Sequence, residues 1–523
     1  MDRQRRRFLL GSAQLASSAS FAALAATGGA ACARASGGAY PFSLGVASGS
    51  PLPHAVVLWT RILDDPLNIA ATAPLALGVR WEVADDPLFR RITASGVASA
   101  LPALAHSVHV DVTRLAPGRW YWYRFMLGDA VSPVGRTRTA PAAGAMPSML
   151  RLAVASCQHW EFGSYGAHRH IAAAAPDLVA FLGDYIYEWG PYRLTHPHTA
   201  VRSNESFTLA DYRARYAQYK SDANLQAAHQ AAPWIVTWDD HEVANDYTGE
   251  REQQAAPGFM ARRAAAYQAF YEHMPLRLAP PGRTDDASWR MFQRYDWGRL
   301  ARLHLLDARQ YRAAHACRPA GSVLQRHCAE LLDGWRTMLG VEQEAWLAAG
   351  LGSSRARWNL VAQQTLMAQS TQSRIVKPGD GRFWTDGWDG YPVARRRLLA
   401  TVQQSGAANP LVLSGDVHTF YAAELRRDFE RPVSAANPVI AAEFCGTSVT
   451  SSSRPQKRTL EYVAMNPHIQ YGRSDKRGFM LLEVTPVKTT AQFVGLGDVR
   501  DARTTAATLA SFVVNAGRTG FSS

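Results

Sequence analysis

Asp177-Leu178-Val179-Ala180-Phe181-Leu182-Gly183-Asp184-Tyr185-Ile186-Tyr187-Glu188 is a short apolar run that breaks off at a Gly-Asp pair. A run of this length has no polar alternation and is bounded by a turn signal, which predicts a strand buried on both faces, as in a parallel sheet. Ligands of such sheets bind beyond the carboxyl ends of the strands, so Gly183 to Glu188 is where chemistry is expected. Three other stretches share this grammar. Leu152-Ala153-Val154-Ala155-Ser156 leads into Cys157-Gln158, and Ala232-Pro233-Trp234-Ile235-Val236-Thr237-Trp238 leads into Asp239-Asp240-His241-Glu242. Much later Pro410-Leu411-Val412-Leu413-Ser414 leads into Gly415-Asp416-Val417-His418. Helical, Ala-rich stretches separate the first three runs, which predicts an α/β layer architecture.

Upstream the pattern is different. Val56 to Arg61, Gly78 to Val83, Ser107 to Val112 and Trp120 to Phe125 alternate in strand fashion, with turn signals at Leu115-Ala116-Pro117-Gly118 and Gly128-Asp129. Short strands without intervening helices predict a β-sandwich of fibronectin or immunoglobulin type over residues 40–140. The alternating aromatics from Trp120 to Phe125 are read as sandwich core rather than as a carbohydrate site. The Ala-, Gly- and Pro-rich stretch from Pro141 to Pro147 is the expected linker to a catalytic domain over 148–505.

A chain of 523 residues with 47% hydrophobic content can bury more than one core, which excludes a disordered protein. Beyond the N-terminus no run of about 18 apolar residues occurs, so no membrane-spanning helix is expected there. Arg5-Arg6-Arg7-Phe8-Leu9, a weakly apolar stretch to Ala31 and the small residues of Ala33-Arg34-Ala35 resemble a twin-arginine export signal over residues 1–35. The expected location is periplasmic or secreted, with lipidation at Cys32 ranked below cleavage. The formal charge of +13 falls to +9 once the five arginines and one aspartate of that segment are set aside. A basic exported protein favours anionic partners, although solubility explains the charge equally well. Cys317 and Cys328 are close enough in a loop-like stretch to pair in an oxidising compartment. Cys157 is read as a metal ligand and Cys445 as a buried, inert thiol.

Carboxylate, thiolate, phenolate and imidazole groups at four strand ends are what a metal-dependent hydrolase of anionic esters requires. Cations neutralise the repulsion between an anionic phosphate ester and its nucleophile. One Gly-Asp or Asp-x-His says little. Four such motifs, each directly after a buried run, are hard to explain as scaffold.

In this order Ser-Cys-Gln, Gly-Asp-Tyr-Ile-Tyr-Glu, Trp-Asp-Asp-His-Glu and Ser-Gly-Asp-Val-His resemble the PhoD-type alkaline phosphatases and phosphodiesterases of the calcineurin-like metallophosphoesterase superfamily. The resemblance extends to Gly45-Val46-Ala47-Ser48-Gly49-Ser50-Pro51, Leu306-Asp307-Ala308-Arg309-Gln310-Tyr311-Arg312 and Glu443-Phe444-Cys445-Gly446-Thr447-Ser448. It implies a catalytic domain built as a central β-sandwich flanked by helices, hydrolysing phosphate mono- or diesters with metal-activated water. It also implies iron(III) on Cys157, Asp184 and Tyr187, with Asp184 bridging to one or two calcium ions. Asp240, Asp416 and His418 complete the cluster, their division between the metals left open. Thiolate and phenolate suit a transition metal and carboxylates suit calcium. Ser50 departs from the family, which usually has Asp there, and a weakened contact of the N-terminal domain is expected.

His241, next to Asp240, is expected not to share a metal with it but to bind the phosphoryl oxygen or protonate the leaving alkoxide. Asp239 is read as a further metal ligand or, the preferred reading, as an acceptor that orients His241. Arg309 and Arg312 offer a phosphate clamp, with a salt bridge to Asp307 as the rival reading. Asn359 and Gln364 are read as scaffold, and His468 is similar in position to a late family motif. The expected partner is a phosphate-ester substrate, nucleotide or phospholipid among the candidates, bound by a monomer without a nucleic-acid reader. The rivals are a phospholipase D-like phosphodiesterase and a non-catalytic exported binding protein.

Overall fold

The four apolar runs form strands whose outlets share an edge. In the computed structural model, which describes residues 40–65, 74–190, 204–251, 257–280, 289–317, 324–326, 328–377 and 380–522, Leu150–Ala155, Leu178–Phe181 and Trp234–Val236 lie parallel in a nine-stranded sheet. Pro410–Gly415 lies in a seven-stranded sheet, parallel to Ala301–Leu305, Trp358–Thr365 and Ala441–Cys445.

Both faces of these strands are buried, which is why they read as continuous apolar runs. Leu152, Val154, Leu178, Ala180 and Ile235 point between the sheets, against Leu303, Leu305, Leu360, Leu411 and Leu413 of the second sheet. Ala153, Ala155, Val179 and Phe181 point outward, where they are covered by helices Gly166–Ala173, Leu209–Lys220, Ala223–Ala231 and Phe259–His273. Helices Gly340–Gly352 and Pro392–Gln404 cover the outer face of the seven-stranded sheet through Leu347, Leu351, Leu398 and Leu399. The result is four layers, helices outside and two sheets within.

The strands expected to make a sandwich over 40–140 are shared between two sheets. Leu77–Ala84, Ile92–Ala100, Trp120–Leu127, Ala130–Val131 and Gly135–Arg138 form a small sheet of their own. Val46–Leu52, Ala55–Arg61 and Ser107–Val112 instead extend the nine-stranded sheet, joined to it where Gly49 lies in parallel register with Trp234. The two layers enclose Val56, Leu58, Val110, Val79, Tyr123 and Phe125, so one side of this core belongs to the sheet that carries the catalytic strands. Tyr121, Tyr123 and Phe125 alternate into the core while Trp120, Trp122 and Arg124 are half-buried on the other face. Ser50 lies buried at this junction with its hydroxyl 3.4 Å from the Pro275 carbonyl and 3.5 Å from Tyr295 Oη, and its carbonyl accepts from Arg277 at 2.9 Å.

Cys317 and Cys328 form a disulfide with Cα atoms 5.9 Å apart, whereas Cys157 and Cys445 are free and buried. No helix of the described residues is long and apolar enough to cross a membrane. The export signal over 1–35 and Cys32 lie outside the described residues.

Candidate metal centre

The glycine before each aspartate has a steric reason. Gly183 has a φ of +101°, and a Cβ there would overlap the Asp239 backbone and Cβ; a Cβ on Gly415 would overlap the Ser156 hydroxyl. Only glycine lets the Leu178–Phe181 outlet press against that of Trp234–Val236, and the Pro410–Gly415 outlet against that of Leu150–Ala155. The ligand-type residues themselves bend the chain. Cys157, Asp184, Asp416 and His418 all have left-handed φ values, between 54° and 63°, a conformation that costs each of them about 1–2 kcal/mol. Four strained non-glycine residues at adjoining strand ends mark a site where side-chain direction outweighs backbone ease.

Three sets of donor atoms lie within 4.8 Å of one another: Cys157, Asp184 and His418; Asp184, Asp240 and His241; and Asp184, Asp239, Asp240 and Asp416. Asp184 belongs to all three. Tyr187 joins the first set, its hydroxyl 3.0 Å from an Asp184 oxygen and 3.3 Å from His418 Nε2. His418 Nδ1 lies 2.7 Å from the Ser452 carbonyl, and as its donor leaves Nε2 as the free lone pair. Residues spread from Cys157 to His418 thus meet at one place, nearly all buried. Asp240 and His241 both reach the same Asp184, although their adjacency predicted that they would not share a metal.

The electrostatics call for a cation. Burial, together with the neighbouring carboxylates, pushes the Asp184 and Asp416 carboxyls well above the usual range; burial and the charges of Asp184 and Asp416 do the same to the Cys157 thiol. Burial and Asp184 likewise raise the Tyr187 phenol. Asp184 Oδ1, Asp239 Oδ2 and Asp416 Oδ2 are buried without a hydrogen-bond donor. Orphaned carboxylate oxygens packed around a thiol, a phenol and a neutral imidazole fit a multivalent cation, which would satisfy them and relieve their repulsion. Burial also lowers His418 to about 3, which keeps it neutral as a ligand must be.

His241 differs. Burial alone would lower its pKa, but Glu188, Asp240 and Asp184 outweigh burial and raise it well above the ordinary value. Nδ1 is 2.8 Å from a Glu188 oxygen, and the ring packs against that of Tyr187, tilted by 30° with centroids 4.1 Å apart. Glu188 also accepts from the Asn245 N–H at 2.7 Å, so the carboxylate that orients His241 is itself fixed. Asp239, expected in that orienting role, is instead bound to Arg309.

Arg309 does not face a substrate. Its side chain is 0% exposed and its guanidinium is engaged by Asp239, by Asp240 at 3.2 Å and by Asp386 at 2.8 Å. The rival salt bridge to Asp307 is absent too, since Asp307 accepts from the Arg309 backbone N–H. Arg312 is held by the same Asp386 at 2.9 Å. A phosphate clamp needs guanidinium edges open to the site, and both side chains are instead buried and held by Asp386, with Arg312 Nε donating to the Ala308 carbonyl. Gln364 donates to the Trp238 and Leu306 carbonyls and Asn359 to the Ala408 carbonyl, which makes both scaffold. His468 lies elsewhere, its Nε2 2.7 Å from the Gln369 carbonyl and its ring against Phe429.

Ser451 and Asp386, which holds Arg309 and Arg312, escaped the sequence reading, in which Glu242 stands at its strand end without a role. Glu242 is fully buried and accepts from the backbone N–H groups of Asp184 at 3.0 Å, Tyr185 at 2.6 Å and Asp239 at 2.7 Å, which ties two metal loops together. Its place three residues after Asp239 was the available signal, since a carboxylate there can close a turn onto that N–H. Ser451 lies with its hydroxyl 2.7 Å from Tyr187 Oη and 3.0 Å from the Cys157 carbonyl. Nothing in the sequence marks it among the serines around it.

A family model described as "PhoD-like phosphatase" matches residues 152–493, and one described as "PhoD-like phosphatase, N-terminal domain" matches residues 27–141. Alkaline phosphatase D of Bacillus subtilis (strain 168) is 44% identical over 489 residues, covering 92% of this chain and 82% of the relative. A solved structure described as "Structure of PhoD" is similar with a TM-score of 0.86 at 43% identity, covering 92% of each chain.

Proposed function

This chain belongs to the PhoD-like phosphatase family and is a phosphoric ester hydrolase of the alkaline phosphatase type, and from that premise we propose that its four strand outlets hold iron(III) and calcium. In this reading Cys157, Asp184, Tyr187 and His418 hold iron, while Asp184, Asp240 and Asp416 hold one or two calcium ions. The division follows donor chemistry, soft or strongly donating groups for the transition metal and carboxylates for the hard cation. When bound, the cations supply the positive charge that polarises the phosphoryl group and lowers the pKa of a water.

The remaining steps fall to side chains. His241, protonated and aimed by Glu188, donates to a phosphoryl oxygen or to the leaving alkoxide. Arg309 is a positioning residue that fixes Asp239 and Asp240 against their mutual repulsion, and Glu242 sets the spacing of the Asp184 and Asp239 loops. The substrate is a phosphate mono- or diester. We further propose that the enzyme is exported through the twin-arginine signal over 1–35, divides near Pro141–Pro147 into an N-terminal and a catalytic part, and acts as a monomer.

The observation that carries this reading is the sharing of Asp184 by three donor sets within 4.8 Å. Elemental analysis of the folded enzyme is expected to give iron and calcium. A tyrosinate-to-iron absorption should disappear in Tyr187→Phe, together with a large loss of hydrolysis of chromogenic mono- and diesters. Metal-free, colourless protein that still hydrolyses both esters would overturn it.

A further inference from the structure

Away from the metal centre, a cavity of about 680 Å³ opens between helix Pro392–Gln404 and the segment that joins strand Phe420–Leu425 to strand Ala441–Cys445. Arg396 and Arg397 line it from the helix, and Arg427 and Arg431 from the segment, with Asp428 among them. A neighbouring cavity of about 270 Å³ shares Arg396, Arg427 and Asp428. The two concavities therefore meet where Arg396 and Arg427 stand.

The arginines are not equivalent. Arg397 is paired with Glu344 at 2.7 Å and Arg431 with Asp428 at 3.1 Å, while the deeper Arg395 is paired with Asp389 at 2.6 Å. The Arg396 and Arg427 side chains make no hydrogen bond or ion pair with the described residues. Nor is the segment that presents Arg427 a loose one. The buried Asn437 amide donates to the carbonyls of Asp428 at 2.8 Å and of Arg431 and Pro432 at 3.3 Å, and Arg426 donates to the Phe429 carbonyl at 3.1 Å. Two ordered elements thus bring two exposed guanidinium groups to one cleft, beside Asp428 and Glu430, with their forks open to an anion. The volume is that of a small-molecule site, and a guanidinium fork matches the oxygens of a phosphate.

We propose that this cleft is a second anion site, separate from the metal centre, that takes a phosphate group other than the one being hydrolysed. Its source is a distal phosphate of a multiply phosphorylated substrate or free orthophosphate. The choice of phosphate over other anions rests on the phosphohydrolase reading; the existence of an anion site does not.

Isothermal titration of the metal-loaded enzyme with inorganic tripolyphosphate and, separately, with orthophosphate tests it. Tripolyphosphate is expected to fill two sites in the wild type and one in the Arg396→Gln/Arg427→Gln double variant, the lost site being weakened about tenfold or more. Hydrolysis of p-nitrophenyl phosphate and the melting temperature should change little, because neither arginine touches the metal centre or the core. If orthophosphate loses its second site as well, the source is the free product; if only tripolyphosphate does, it is a distal phosphate. Isotherms that coincide for wild type and variant overturn the proposal. So does polyglutamate binding the wild type as tightly as tripolyphosphate and with the same dependence on the two arginines. An enzyme inactive on all phosphate esters would sink the functional reading while leaving the titration difference to be judged alone.

Discussion

Single residues here act mostly by constraining one another. Glu242 receives three backbone N–H groups from two metal loops, so its charge is spent on geometry rather than on catalysis. Burial, partly offset by those N–H groups, raises its pKa to about 8, yet three donors aimed at two oxygens suit the carboxylate best. An amide offers one acceptor and turns two N–H groups toward the loops. Glu242→Gln is therefore expected to bind metal about 10- to 100-fold more weakly, the usual cost of losing a group that orients ligands. Metal per chain after dialysis against graded chelator reads this directly, and retention equal to wild type would show that the loops hold without the clamp. Arg309 belongs to the same class: its three carboxylate partners explain why an arginine fully out of solvent is tolerated.

At the scale of elements, helix Leu209–Lys220 carries an unusual burden. Its last residue, Lys220, is buried with Nζ 4.2 Å from the centre of the Trp59 ring and 5.4 Å from that of Tyr185, and it has no carboxylate ion pair among the described residues. Burial lowers its pKa to about 7 from 10.5. Between those two values the unfolded chain holds a proton that the folded one does not, so stability gains with rising pH across the window. Below about pH 7 both states are protonated and the full cost of burying the charge applies. Lys220→Met should accordingly stabilise the protein by a few kcal/mol near pH 6.5, with the gain shrinking toward zero by about pH 10. Urea midpoints of both proteins across that range measure it; a difference that stays flat with pH would mean that the ammonium is solvated. The outlets of the strands follow a different logic, since Gly183 and Gly415 spend no side chain so that neighbouring elements can close.

Over the whole molecule, one sheet serves two purposes. The nine strands run from Val46–Leu52, Ala55–Arg61 and Ser107–Val112, through the strands that end in Cys157, Asp184 and Asp239, to the final hairpin of Lys488–Leu496 and Ala506–Asn515. Such a sheet is held by contacts between strands far apart in sequence, and the proposed twin-arginine route is one that carries folded proteins. Replacing Arg6 and Arg7 by Lys is expected to hold the precursor in the cytoplasm with its metal content intact. Fractionation followed by elemental analysis checks this, and export undiminished by the change would remove the twin-arginine reading.

Much of this was legible because local chemistry has local causes. An apolar run buried on both faces looks the same wherever it occurs, and a polar outlet directly after it lies at a sheet edge by geometry alone, so the four outlets could be located one motif at a time, while the choice of Cys157, Asp184, Tyr187, Asp240, Asp416 and His418 within them came from the family resemblance. Local pattern was enough to say which residue types stand at the strand outlets and that helices and sheets pack in layers, because both follow from burial along a single run. The partner that each polar group finds was settled by the folded chain. Arg309 looked like a phosphate clamp until Asp386, 77 residues downstream, closed its free edge; Glu242 and Ser451 gained their places from loops that the chain brings up from elsewhere. Three N-terminal strands left their own layer for the catalytic sheet by the same route. Strand formation follows from a residue's immediate neighbours, but ion pairs, hydrogen-bond acceptors and sheet neighbours are chosen across the fold, by proximity that no local pattern encodes.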